Sequence, residues 1–176
     1  MASSAFTAST RAPEAGRPRA QTGYVLRLVV FTGALWALPA QLPGIERIMV
    51  RATVGSLAIG LRALGPNARL VGDTLEWGGS GVRIVAECTS LSTTLLYIGA
   101  LFAYWRSWGV TLLGALAGTA VLWGYNVLRI LALLWVLRFW PARFDIVHVY
   151  LWQSVSLVVV LGCFLAWAAL VDRRHA

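Results

Sequence analysis

Three side chains in this sequence have the types needed for acyl transfer through a thiol: Cys88, Arg129 and His148. A cysteine attacks as its thiolate, which a nearby cation favours and which proton transfer to a histidine generates. A guanidinium can stabilise the oxyanion of a tetrahedral intermediate. The histidine can then protonate the leaving amine. Cys88 stands at the head of one apolar run (89–105), Arg129 lies far along a second (110–138), and His148 opens a third (148–171). Helix counting brings all three to one membrane face. Arg129 is the sharpest signal, because a guanidinium at the centre of a lipid-exposed helix costs about 2.5–3.5 kcal/mol on insertion scales. Counted from Val110 it falls about 28 Å along its helix, near the outer rim of a bilayer.

Other polar groups could support this set. Asn126 lies one turn before Arg129 on the same side, where it can orient the guanidinium or meet the backbone of a substrate. Glu87 can tune Cys88 or pair with Arg83, and Asp145 can orient His148. Cys163 lies about 22 Å further down the helix that His148 opens, so it reads as core and does not bridge Cys88. Each residue also has a plainer reading: an arginine snorkelling to headgroups, an interfacial histidine, a thiol filling apolar space. Their coincidence at one depth favours the chemical reading. The two cysteines give neither metal spacing nor a CxxC pair, and no phosphate loop, HExxH or GxSxG occurs. No cofactor or metal is expected.

The elements that must position these residues are membrane helices. Of the 176 residues 59% are hydrophobic, and the mean hydropathy is +0.71. Several apolar runs approach the ~20 residues that cross a bilayer. The net charge of +8 comes from arginine alone. The arginines are dispersed and flank apolar runs, which suits topology and headgroup contact rather than nucleic acid, and no nucleic-acid partner is expected. Nine tryptophans suit interfacial anchoring.

Taken in order, residues 1–22 read as a disordered cytoplasmic tail and 23–176 as a single membrane-embedded domain. The first apolar run, 24–42, reads as a retained anchor rather than a cleavable signal. Residues 44–64 read as an interfacial or re-entrant helix, with a tilted full crossing as the alternative, ended by Gly65-Pro66-Asn67. Residues 74–77 and 82–85 alternate around Gly78-Gly79-Ser80-Gly81 and predict a small outer β-hairpin with Leu75, Trp77, Val82 and Ile84 on alternating positions. A span over 89–105 with a polar first turn follows, then a short inner turn at Trp105, Arg106 and Trp108. The long run 110–138, an outer loop over 140–145 and a last span over 148–171 complete the chain. The expected fold is an all-α polytopic membrane protein with about four transmembrane helices and both ends inside. The arginines divide almost evenly between the two sides, so the orientation rests on the chain ends and on the site.

These residues resemble the exosortase/archaeosortase family of membrane cysteine proteases and transpeptidases. The resemblance runs over about 70–171. It is carried by a hairpin leading into a cysteine at the head of a span, by Asn126-Val127-Leu128-Arg129-Ile130 with its NxxR-type spacing, and by a histidine opening the last span. It implies that Cys88 is the nucleophile, His148 the acid and base, and Arg129 the oxyanion stabiliser. It also implies the substrate: a secreted protein with a C-terminal sorting signal made of a short motif, a transmembrane helix and a basic cluster. Cleavage would occur at the outer face of the cytoplasmic (inner) membrane, with transfer to an exopolysaccharide or lipid acceptor, or to water. Thr89-Ser90 follow the cysteine where the family often carries a glycine, and the chain is short, which marks a compact or divergent member. Two other classes compete: a non-catalytic scaffold of an exopolysaccharide or secretion system, and a small transporter. The transporter is the weaker, because outside Asn126 and Arg129 the spans lack a chain of polar groups.

Overall fold

Apolar residues run almost unbroken from 108 to 139 and form one helix, α4 (Trp108–Phe139), of 32 residues, about 48 Å long. The other elements are arranged along it. The computed structural model describes residues 17–42, 44–61 and 67–173. Within these, α1 (Arg17–Gln41) and α2 (Ile45–Leu61) precede three short strands, β1 (Ala68–Val71), β2 (Thr74–Trp77) and β3 (Ser80–Arg83). A 3-10 turn (Ala86–Cys88) leads to α3 (Leu91–Ala103) and then α4. A second 3-10 turn (Pro141–Arg143) and a π-helical segment (Ile146–Leu151) lead to α5 (Trp152–Arg173).

Helices α3, α4 and α5 pack around a first core of Tyr97, Leu101, Leu122, Val160, Trp167 and Val171. Gly114 and Gly118 stand one turn apart on α4, and a Cβ at either would overlap Trp167 or the Tyr97 ring. Their bare backbone therefore lets the two aromatic side chains lie against the helix. Tyr97 donates its hydroxyl to Gly114 O at 2.9 Å. Helix α1 packs antiparallel on α3, with Tyr24 beside Tyr104 and Phe31 beside Phe102. The α3–α4 link is closed by Asp172, which accepts from Arg106 at 2.6 Å and from Tyr104 at 2.9 Å.

A second core lies toward the other end of α4. Leu57 and Leu61 of α2, Leu75 and Ile84 of the sheet region, and Ile130 and Leu134 of α4 are buried together. The sheet is three-stranded and antiparallel in the order β1-β2-β3. A hairpin forms where one was predicted, but its second strand is Ser80–Arg83 rather than 82–85, because Gly78-Gly79 alone, at φ +56° and +87°, make the two-residue type I′ turn; Leu75 lies opposite Val82. The unexpected addition is β1, which pairs with β2 through the two-residue turn Gly72-Asp73.

Other boundaries differ from expectation. Helix α1 begins at Arg17, inside the segment read as tail; residues 1–16 and the break at Gly65-Pro66 lie outside the described residues. The loop expected over 140–145 is a tight helical corner. Helix α3 has 13 residues, about 20 Å, which is shorter than the ~30 Å hydrocarbon core. Two helices, Trp108–Phe139 and Ile146–Arg173, are long and apolar enough to cross a membrane, while α1 and α3 supply the shorter apolar stretches Thr22–Ala37 and Leu91–Ala103.

Candidate functional site

The site is assembled from three chain corners. Cys88 ends the 3-10 turn that follows β3 and is half-buried. Its backbone is held twice: Cys88 N donates to Val85 O at 2.9 Å, and Cys88 O accepts from Asn126 Nδ2 at 2.9 Å. Asn126 is only 4% exposed. A buried carbonyl left unpaired costs about 1–3 kcal/mol, so this bond fixes where the thiol sits on α4. Thr89 turns the chain into α3 by donating to Ala86 O at 2.7 Å and accepting from Leu91 N at 3.4 Å. The polar first turn foreseen in the sequence is thus partly used to build the corner.

Arg129 lies one turn beyond Asn126 on α4. It is half-buried, and its Nε is buried without a hydrogen-bond partner. His148 lies in the π-helical segment that opens the last helix and stacks on Phe144, with ring centroids 5.4 Å apart and planes 29° apart. π-turns of this kind are frequent at functional sites because they displace one side chain from the regular helical face.

Cys88, Arg129 and His148 line one cavity of about 380 Å³, closed by apolar side chains that include Val82, Val85, Leu133, Leu137 and Phe144. Arg83 also lines it, and no carboxylate does. Among the described residues no hydrogen bond joins the thiol, guanidinium and imidazole to one another. The three therefore share a cavity without being locked together. No group of three or more potential metal-ligating side chains occurs among the described residues.

The three supporting residues fare differently. Asn126 binds the backbone of Cys88 rather than orienting Arg129, because its amide is buried against the 3-10 turn. Glu87 is exposed and does not pair with Arg83. Arg83 instead meets Asp73 at 3.1 Å across the sheet, and this guanidinium holds the Asp73 carboxyl below its ordinary value. Asp145 is exposed and makes no bond to His148, whose ring is held by Phe144. Cys163 packs, as expected of a core thiol, against the Tyr97 core.

Sequence reasoning missed Phe144 and the wall made by Leu133 and Leu137. Both had a signal available: Phe144 precedes His148 by one helical turn, and Arg129, Leu133 and Leu137 recur at intervals of four on one face. Comparison of the chain with protein-family models, curated proteins and solved structures finds no match.

Proposed function

We propose that the protein is a membrane-embedded cysteine protease or transpeptidase of the exosortase/archaeosortase type. It cleaves C-terminal sorting signals of secreted proteins at the outer face of the cytoplasmic membrane. The observation that carries this reading is the single cavity shared by Cys88, Arg129 and His148. Its walls are largely apolar and no carboxylate lines it; with Arg83 paired to Asp73, Arg129 supplies the positive charge that favours an oxyanion over a cation.

In the proposed reaction the Cys88 thiolate adds to the carbonyl carbon of the scissile peptide. The Arg129 guanidinium stabilises the resulting oxyanion. As the tetrahedral adduct collapses, the carbon–nitrogen bond breaks and the leaving amine takes a proton from His148, leaving a thioester on Cys88. An incoming amine or water then gives its proton to His148 and adds to the thioester carbonyl. Collapse of the second adduct expels the thiolate and regenerates the site.

The membrane arrangement is part of the proposal. In this arrangement α4 and α5 cross the membrane, and α1 and α3, whose apolar stretches are shorter, complete four crossings where the bilayer thins around them, with both chain ends inside and α2 and the sheet against the outer end. Arg129 stands about 31 Å along α4 from Trp108, close to one hydrocarbon thickness. Only 28% and 22% of the apolar windows of the two longest helices are buried, whereas a core helix of a water-soluble domain would be mostly covered. Leu112, Leu116, Leu157, Val158 and Leu161 are among the apolar side chains left facing outward.

The test is labelling of Cys88 in intact cells with a membrane-impermeant thiol reagent, in a Cys163→Ala background with Cys88→Ala as control. The expected result is labelling from outside that slows about ten-fold or more when His148 is replaced by alanine. In the same cells Cys88→Ala abolishes processing of a sorting-signal substrate while the protein still inserts. Labelling only after permeabilisation would place the thiol on the other side and overturn the outer-face reading. Retained processing in Cys88→Ala would overturn the nucleophile.

A further inference from the structure

At the end of the bundle remote from Cys88, a groove of about 610 Å³ opens between α1 and the end of α3. Its walls carry Arg27 and Arg106, the rings of Tyr24, Tyr104 and Trp105, and the aliphatic Val25. We infer that this groove binds an anionic glycerophospholipid, with the phosphodiester between the two guanidinium groups and the acyl chains along α1 and α3. The inference rests on the membrane-spanning part of the proposed function and is independent of the thiol chemistry.

The two arginines lie on different elements yet face one groove. Arg27 is exposed, and its described bond is to its own helix, from Nε to Gly23 O at 3.1 Å. Its terminal nitrogens carry no described bond. Arg106 is anchored from one side only: Nη2 donates to Asp172 at 2.6 Å and to the Tyr104 hydroxyl at 3.0 Å. Its guanidinium also lies 4.7 Å from the centre of the Tyr104 ring. Counting Asp172 against the pair, one positive charge is left without a counter-ion among the described residues, which matches the single charge of a phosphodiester.

The surroundings favour a lipid over a soluble anion. The lining is mainly aromatic and aliphatic, and Trp105 and Trp108 meet edge to face at 4.5 Å, with Trp108 largely exposed beside them. Such rings seat at the headgroup level of a bilayer. A free phosphate would use the guanidinium groups and gain nothing from those walls. The groove also lies across the α1–α3 contact, so a bound lipid would bridge two helices.

The experiment is native mass spectrometry of the full chain, released from detergent micelles containing equal amounts of phosphatidylglycerol and phosphatidylcholine. Phosphatidylglycerol should be retained preferentially. Arg27→Gln should reduce that preference about five-fold, the effect of one surface arginine on an anionic lipid, and Arg27→Lys should keep most of it. Arg27→Gln removes only a bond within α1, so the fold should persist, and an unchanged melting temperature checks this. Equal retention of the two lipids, or a preference unaltered by Arg27→Gln, would overturn the site. So would displacement of the lipid by millimolar glycerol 3-phosphate, which would identify a soluble phosphate ligand instead. A chain that is monodisperse without detergent would overturn the membrane reading and this site with it. A detergent-dependent chain with no preference overturns the site alone.

Discussion

The two ends of α4 are built on different terms. Toward its start, the Tyr97 and Trp167 side chains lie on glycine backbone, and their polar atoms donate to Gly114 O and Val110 O. The nearby link is tied to Asp172 by two side chains. Thr111 and Thr32, the latter packed on Gly99, are exceptions there, each with a buried hydroxyl that has no partner. Toward its end, α4 meets a small sheet and two chain corners, and buried polar groups accumulate unpaired: Arg129 Nε, Ser90 Oγ and Thr94 Oγ1. Such groups cost about 1–3 kcal/mol each. Of the three, Arg129 also lines the cavity. The first end holds the helices together; the second holds a thiol, a guanidinium and an imidazole around a space.

This contrast can be broken most sharply at Arg129. Arg129→Met should lower processing about 10²–10³-fold while leaving stability unchanged or slightly higher, since a half-buried guanidinium whose Nε has no hydrogen-bond partner is replaced by an apolar side chain of similar reach. Parallel processing assays and thermal melts in detergent check the split; a large loss of stability would make Arg129 structural. The opposite pattern is expected at Gly118. Gly118→Ala forces a methyl into the Tyr97 ring and should cost about 1–3 kcal/mol by overpacking, with labelling of Cys88 unchanged in the protein that remains folded.

Asn126 joins the two properties. Asn126→Ala removes the 2.9 Å bond to Cys88 O and should cost about 1–2 kcal/mol. Unlike Gly118→Ala, it should also change the rate at which Cys88 is labelled, because the backbone that positions the thiol is freed. The smallest effect belongs to Asp73. Its carboxyl is lowered from 3.8 by the hydrogen bond from Arg83. The pair therefore contributes its full, small stabilisation above the unfolded value and loses it as the pH falls through the lowered folded value. Melts of the protein and of Asp73→Asn should differ near neutral pH and converge in acid. The pair is exposed and its effect should shrink in high salt.

Much of the site end was legible. The Gly78-Gly79 pair between alternating residues announced a turn that strand twist demands, and β2 and β3 formed there. Gly72-Asp73 carried a similar signal, yet β1 escaped notice because the adjacent Leu70 and Val71 break the alternation of apolar and polar residues. Counting residues along helices put Cys88, Arg129 and His148 at one level, since 1.5 Å per residue is a property of the backbone; that they line one cavity is visible only in the packed structure. The supporting residues were less legible. Glu87 and Asp145 were assigned by proximity in sequence, and the structure turns both outward. Their expected partners are taken instead by Asp73, in the turn between β1 and β2, and by the Phe144 ring.

By itself the sequence determined the long apolar helices and the position of the hairpin, because each follows from local periodicity and turn chemistry. Tertiary structure alone decided which partners the three reactive groups have. Asn126 on Cys88 O, Phe144 on His148, and the sheet between α2 and α4 are contacts between elements distant in sequence or at an irregular turn. They are selected by what fits when the helices pack, and packing complementarity leaves no periodic trace in the chain.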